Sequence, residues 1–465
     1  METAIVIAAF VLLLIGALYF NKIWLGALLG VLLMLIYQST FASEGIILTF
    51  GNAAIISTEL LLLIFGAFLF YNTLQSRKHF EPLIKHFTGN GAKLEVLLFF
   101  SIFFGSFLEG VAGFGIPAML IAPILLSLGY KPLTSITIPL IANSTSVLFG
   151  ALGTPLVVGL QQTGVGELIP IIIRLNALPI LVLPFVLTYI YKKTEKENIN
   201  ILKWTPKLLA TGLIFLVPFV ATSLFSIELP SVVAGLVGML VFSSAIIPKT
   251  QRPSFGLWAK FLQPYALFLV LLLVSRFLLI ENKINVAAGL KTISLYQPGF
   301  VFLIAVLLMN LLQKRGAYKL FIEAKQTAFK LQKTALTIVF LVLFAQVIQT
   351  ALSQSLVGLM ASENKTFIAP LLGALGSFTL GSATMSNLIF SGALESVTIS
   401  KSLLLMALLH SGSCVGNVIS LQNILMVNSI MPHAEKTKSI FSLNIRWFIL
   451  YLALIGLGIL ILGNI

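Results

Sequence analysis

Two short stretches of this chain carry side chains suited to holding a small anion and moving a proton. The first, Glu109-Gly-Val-Ala-Gly-Phe-Gly-Ile-Pro117, sets one carboxylate among three glycines and a proline. The second, Gly381-Ser-Ala-Thr-Met-Ser-Asn387, carries hydroxyls and an amide. Glycine and proline stop one half-helix and start another. The N-terminus of the new half-helix offers unpaired N–H groups and roughly half a positive charge, a natural seat for a carboxylate. Each stretch is marked by a repeated hexapeptide, Gly105-Ser-Phe-Leu-Glu-Gly110 and, 271 positions later, Gly376-Ser-Phe-Thr-Leu-Gly381. Both copies are expected to interrupt segments otherwise apolar enough to lie in lipid. Hydrocarbon penalises unpaired backbone unless it is buried in protein or lines a wet cavity, so paired interruptions point to a transport site.

A second pair of breaks follows. Asn143-Ser144-Thr145-Ser146 leads into Gly150-Ala-Leu-Gly-Thr-Pro155, and His410-Ser411-Gly412-Ser413 leads into Gly416-Asn417, Ser420, Gln422 and Asn423. Two tips and two unwound spans are expected to enclose a site near the membrane midplane. Ser106, Asn143, Ser144, Ser382, Thr384, Ser386 and Asn387 are the expected substrate contacts. Glu109, the one carboxylate within such a break, is the expected proton carrier, since an intramembrane acid is a functional hypothesis by default; the alternative is a helix cap. Arg174, His410 and Asn417 are further candidates. Arg174 either reaches the substrate or snorkels outward, and His410 either relays protons or packs. Arg276 and Arg446 lie near span ends and are expected to snorkel.

The elements that must position these residues are membrane helices. Of 465 residues, 58% are hydrophobic and 9% charged, which places the chain in the integral membrane class. All 15 acidic residues are glutamate, the single cysteine excludes an internal disulfide, and the histidines have no metal-ligand spacing. No metal or cofactor is expected, and an intramembrane enzyme lacks a plausible nucleophile and base. The net charge of +14 reads as membrane topology rather than nucleic-acid binding.

Apolar runs predict about twelve transmembrane helices, at 3–20, 23–37, 55–74, 134–158, 168–191, 208–227, 231–247, 264–280, 298–313, 334–358, 402–428 and 440–463. Met1–Phe20 reads as a retained first helix. Two further stretches, 94–130 and 368–399, read as re-entrant helical hairpins. The loop cations decide the orientation. The clusters around Arg77–Lys93, Lys192–Lys207, Lys249–Lys260 and Lys314–Lys333, with Lys22, Lys131, Lys436 and Lys438, fall on one side; Lys283, Lys291, Lys365 and Lys401 fall on the other. The positive-inside rule then puts both termini outside and gives an all-α inverted repeat. The expected division is 1–191, a connecting helix pair in 192–263, and 264–465. The basic stretch 314–333 reads as an interfacial helix on the lipid bilayer.

The motifs Glu109 to Pro117, Gly129-Tyr-Lys-Pro132, Ile141-Ala-Asn-Ser144 and Phe149-Gly-Ala-Leu-Gly153 closely resemble the bacterial L-lactate permease family. Gly381 to Asn387 and Val415 to Gln422 resemble it less closely. The resemblance implies proton-coupled symport of L-lactate and similar small 2-hydroxy monocarboxylates such as glycolate, by alternating access, in the bacterial inner membrane. Three positions depart from the family pattern: Ala383 stands in place of a polar or acidic residue, Asn417 of lysine and Leu421 of proline. The other reading within transport is a sodium-coupled permease for another small organic anion, because unwound backbone carbonyls also hold sodium.

Overall fold

The computed structural model describes residues 2–20, 22–41, 45–88, 93–113, 115–160, 165–313, 316–360, 366–394, 399–432 and 434–462. Phe114, Lys314, Arg315, Lys365 and the end of the second expected hairpin lie outside them. In chain order the helices begin with α1 (Glu2–Leu18), α2 (Ile23–Phe41), α3 (Ile46–Ser76), α4 (Glu81–Phe87), α5 (Leu94–Leu98), α6 (Gly105–Val111) and α7 (Ile116–Ser127). They continue with α8 (Pro132–Ser146), α9 (Gly150–Val157), α10 (Val165–Glu195), α11 (Ile201–Ser223), α12 (Pro230–Ala245), α13 (Phe255–Leu279) and α14 (Pro298–Leu312). The last are α15 (Ala317–Met360), α16 (Ile368–Leu380), α17 (Ala383–Leu394), α18 (Ile399–Ile419), α19 (Leu421–Ser429) and α20 (Thr437–Leu462). A two-stranded antiparallel pair, β1 (Lys283–Ile284) and β2 (Ile293–Ser294), sits between α13 and α14.

Among the described residues eight helices are long and apolar enough to cross a bilayer, or nine if the bent pair α18–α19 counts as one span. The apolar parts of α1, α2, α12 and α14, each expected as a span, are shorter, at 10–17 residues. The chain is a predominantly helical, multi-pass membrane protein.

It forms two compact units, each discontinuous in sequence and drawing on both halves of the chain: Met1–His86 with Pro253–Ile348, and Phe87–Arg252 with Gln349–Ile465. In the first unit, α1 and α2 touch backbone to backbone at Gly16 and Gly26, the close approach that small residues permit in lipid. Phe268 and Phe302 stack with centroids 4.2 Å apart. The Glu59 carboxylate accepts from Lys291 Nζ at 2.8 Å and Gln297 Nε2 at 3.1 Å, pinning the loop that carries the β pair. The basic stretch expected to lie at the interface is the helical start of α15. Its Glu323 accepts from Thr73 Oγ1 and Ser76 Oγ, at 2.9 and 2.8 Å, at the end of α3.

The second unit contains every candidate site residue. Here the hexapeptide expected to interrupt the first hairpin is itself helical: Gly105 to Val111 form α6, entered through a π-helical stretch at Phe99–Phe104. The interruption comes just after it, at Ala112 to Gly115, where Gly113 and Gly115 take φ of +60° and +80°. Side chains with a Cβ resist that left-handed region. The glycine inside the hexapeptide serves packing instead, because a Cβ at Gly110 would meet the Val232 amide of α12 at 2.5 Å. The second hexapeptide is likewise helical through Leu380, and the chain turns at Gly381, φ +66°.

The later breaks also differ from their expected positions. After α8 the chain tightens into a 3-10 turn at Val147–Phe149, then takes left-handed geometry at Ala151, Leu152 and Gly153. By contrast α18 stays helical past His410, Gly412 and Gly416 and breaks only at Ser420, with a bend of 41°. Gly412 and Gly416 do not unwind the helix because they are contact surface, against the backbones of Pro370 and Ala374 on α16.

Candidate functional site

Glu109, on the last turn of α6, is 4% exposed. The Asn143 side chain of α8 lies beside its carboxylate, and Oε2 has no hydrogen-bond partner. Gly150, at the first break, makes room for it: a Cβ there would lie 2.5 Å from Glu109 Oε1. A buried carboxylate with one unpaired oxygen is costly. A proton on Glu109 removes that charge, so the geometry suits a group that gains and loses one.

On its other side Asn143 lines a small pocket with Gly115 and Ala118 from the first tip, Ser144 of α8, Asn417 of α18, and Asn423 and Met426 of α19. Its volume of about 20 Å³ holds roughly one water molecule. A three-carbon hydroxy acid needs more, so the pocket must open to admit one. The walls are partly apolar, from Ala118, Leu140, Met426 and Val427, and partly polar, from the three amides and the start of α7: Gly115 precedes α7 with no side-chain cap, and Asn417 Oδ1 is buried without a partner. Such donors and acceptors match a carboxylate with a neighbouring hydroxyl.

The Ser420 break gives α19 its place. Ser420 Oγ caps α19 by accepting from the Asn423 amide at 3.4 Å. Asn423 Oδ1 would sit 3.0 Å from a Cβ on Gly381, and Met426 Cε 2.6 Å from one on Gly115. One turn of α19 therefore touches both tips.

Of the predicted contacts, the structure brings Asn143 and Ser144 into this pocket, together with the further candidate Asn417; Glu109 lies beside Asn143. Ser144 is held there, donating to Ile141 O at 2.7 Å and accepting from Trp447 Nε1 at 2.9 Å. The others lie elsewhere. Ser106 Oγ donates to Ser231 O of α12 at 3.0 Å. Ser382 caps α17, accepting from the Met385 amide at 3.3 Å. Thr384 is buried beside Gly159, where its carbonyl lies 3.0 Å from the site of a Cβ. Ser386 donates to Gly373 O at 2.7 Å and accepts from Ser413 Oγ at 3.0 Å, fastening α17 to α16 and α18. Arg174 lies on the exposed side of α10, outside the pocket lining.

Asn387 and His410 form a separate buried clamp. Asn387 Nδ2 donates to Pro155 O at 2.8 Å and to His410 Nδ1 at 2.9 Å. His410 Nε2 donates to Leu148 O at 3.0 Å, so the ring is the neutral tautomer with its proton on Nε2. The clamp ties the second tip's helix to both ends of the first break. Cys414 Sγ lies 3.9 Å from His410 Nδ1.

The sequence reading missed the support behind the pocket. Along one face of α20, Asn444 Nδ2 donates to Val418 O at 2.6 Å, Trp447 holds Ser144, and Tyr451 Oη donates to Asn176 Oδ1 at 2.6 Å. Asn176 Nδ2 in turn reaches Ser411 Oγ at 2.8 Å. The spacing of Asn444, Trp447 and Tyr451 on one helical face was the available signal.

A family model described as L-lactate permease matches residues 3–254 and 253–465. The L-lactate permease of Streptococcus iniae is 29% identical over 318 residues, 62% of this chain and 66% of that protein. A putative L-lactate permease of Haemophilus influenzae is 26% identical over 88% of each chain. The glycolate permease of Escherichia coli K12 is 27% identical over 78% of this chain and 77% of its own.

Proposed function

Because the chain belongs to the L-lactate permease family, a family of transporters rather than enzymes, we propose that it carries lactate or glycolate through the membrane together with a proton. The observation that carries this reading is the double placement of Asn143, which lines the pocket and lies beside the buried Glu109 carboxylate. An anion arriving beside Asn143 meets the charge of ionised Glu109. A proton on Glu109 lifts that repulsion and makes the loaded pair neutral, which couples the two cargoes. The amides of Asn143, Asn417 and Asn423 and the start of α7 hold the carboxylate and hydroxyl.

The carrier works by alternating access of two inverted repeats, with twelve spans, re-entrant hairpins at 94–130 and 368–399, and both termini outside the inner membrane. The Asn387–His410 clamp positions the first break and does not touch substrate. The state of the first break favours a proton over sodium. The carbonyls of Leu148, Ala151 and Pro155 each already accept a hydrogen bond, from His410, Thr154 and Asn387, which leaves each with one lone pair and makes it a poorer ligand for a bare cation.

Purified protein in proteoliposomes tests the reading. An inward proton gradient should concentrate lactate and glycolate equally well in sodium and potassium media. Accumulation that requires sodium and ignores pH would overturn the coupling; failure to move either acid would overturn the substrate class.

A further inference from the structure

Outside the proposed transport path, α10 and α20 border a groove in two parts. The largely apolar part has a volume of about 400 Å³ and is lined by Val182, Phe185, Val186, Leu443, Trp447 and Leu450, and by the cation Arg446. The polar part, also about 400 Å³, is lined by Lys192, Lys193, Lys196, Glu197 and Asn198. Tyr189 borders both, so the two are continuous along the end of α10. Both helices are long and apolar enough to span a bilayer, which puts an apolar slot beside a cluster of three lysines and one glutamate.

We propose that this groove is a site for an anionic phospholipid. One acyl chain lies along Val182, Val186 and Leu450, and the phosphate sits among Lys192, Lys193 and Lys196. The charge pattern selects the occupant: a zwitterionic lipid gains the slot but not the excess of lysine charge, and a soluble anion gains the lysines but not the slot. The lipid chain would lie beside Trp447, which is buried behind the slot and whose indole holds Ser144 of the candidate transport pocket.

Native mass spectrometry of the full-length protein in detergent, with phosphatidylglycerol and phosphatidylcholine of matched chains, tests this. Wild type should prefer phosphatidylglycerol. Replacing Lys192, Lys193 and Lys196 together with Gln should weaken its binding about a hundredfold, at roughly fivefold per cation. Val186→Trp, which fills the slot and keeps the lysines, should weaken both lipids, and soluble glycerol phosphate should not displace the bound one. In a variant with Trp24, Trp204 and Trp258 changed to Phe, phosphatidylglycerol brominated on its chains should quench Trp447 fluorescence. Equal binding of the two lipids, retention by the triple lysine variant, displacement by glycerol phosphate, or no quenching would overturn the proposal. So would a lipid-free dimer that Val186→Trp dissociates, because the groove would then belong to a second copy of the chain.

Discussion

Positions 271 residues apart in the two glycine-marked regions exchange their chemistry. In the first region Glu109 meets Asn143; the corresponding positions in the second are Leu380 and Cys414. In the second region Asn387 meets His410; the corresponding positions in the first are Ile116 and Pro139. Each region keeps one buried polar pair where the other is apolar. Even the space follows the pair, since Gly150, which accommodates the carboxylate, corresponds to Leu421. A pair of this kind needs a partner for every polar atom or a use for the unpaired one. Each pair leaves one oxygen without a hydrogen-bond partner, Asn387 Oδ1 and Glu109 Oε2, but the Asn387–His410 pair also donates to the backbone of the first break, and an amide oxygen, unlike a carboxylate, does not take up a proton near neutral pH. The comparison separates a structural clamp from a group able to take a proton.

Five substitutions break or sharpen this contrast. Gly150→Ala should have the largest effect. Its Cβ displaces the carboxylate, and an overpacking cost of about 1–3 kcal/mol corresponds to a fall of roughly fivefold to a hundredfold in the initial rate of proton-driven uptake. Asn387→Ala should act on stability instead, by about 1–3 kcal/mol for the buried groups it leaves unpaired, read as a lower thermal unfolding midpoint. The two hexapeptide serines give a smaller, paired test. Ser106→Ala loses its bond to Ser231 O and should cost about 1 kcal/mol, while Ser377, whose Oγ is buried without a partner, should tolerate Ala at no cost in the same unfolding assay. Arg174→Gln should change least, leaving the KM for uptake where it was; a raised KM would bring Arg174 back to the substrate.

The apolar stretches and the two glycine-marked regions were legible in the sequence because length, hydropathy and glycine content are local properties. The exact breaks were not. Gly105 and Gly110 look the same in sequence as Gly113 and Gly115, yet Gly105 has helical φ of −61° and Gly110 packs on α12, whereas Gly113 and Gly115 turn the chain. Whether a glycine serves packing or turning depends on the element facing it. The same limit applies to the polar residues. Ser386 and Asn387 stood out as a polar cluster, but their hydrogen bonds to Gly373, Ser413, Pro155 and His410 depend on residues up to 232 positions away. Asn423 joins the pocket because the chain bends at Ser420, and Trp447 reaches Ser144 across 303 positions. Asn143 and Glu109 were legible because each is a polar residue beside a local break.

The most direct test of the central claim is Glu109→Gln in proteoliposomes, with accumulation and counterflow of labelled lactate measured on the same preparation. Glutamine keeps the shape and the approach to Asn143 but cannot exchange a proton. The account predicts that the variant still exchanges lactate in counterflow and no longer concentrates it against a gradient when an inward proton gradient is imposed. Accumulation equal to wild type would contradict it.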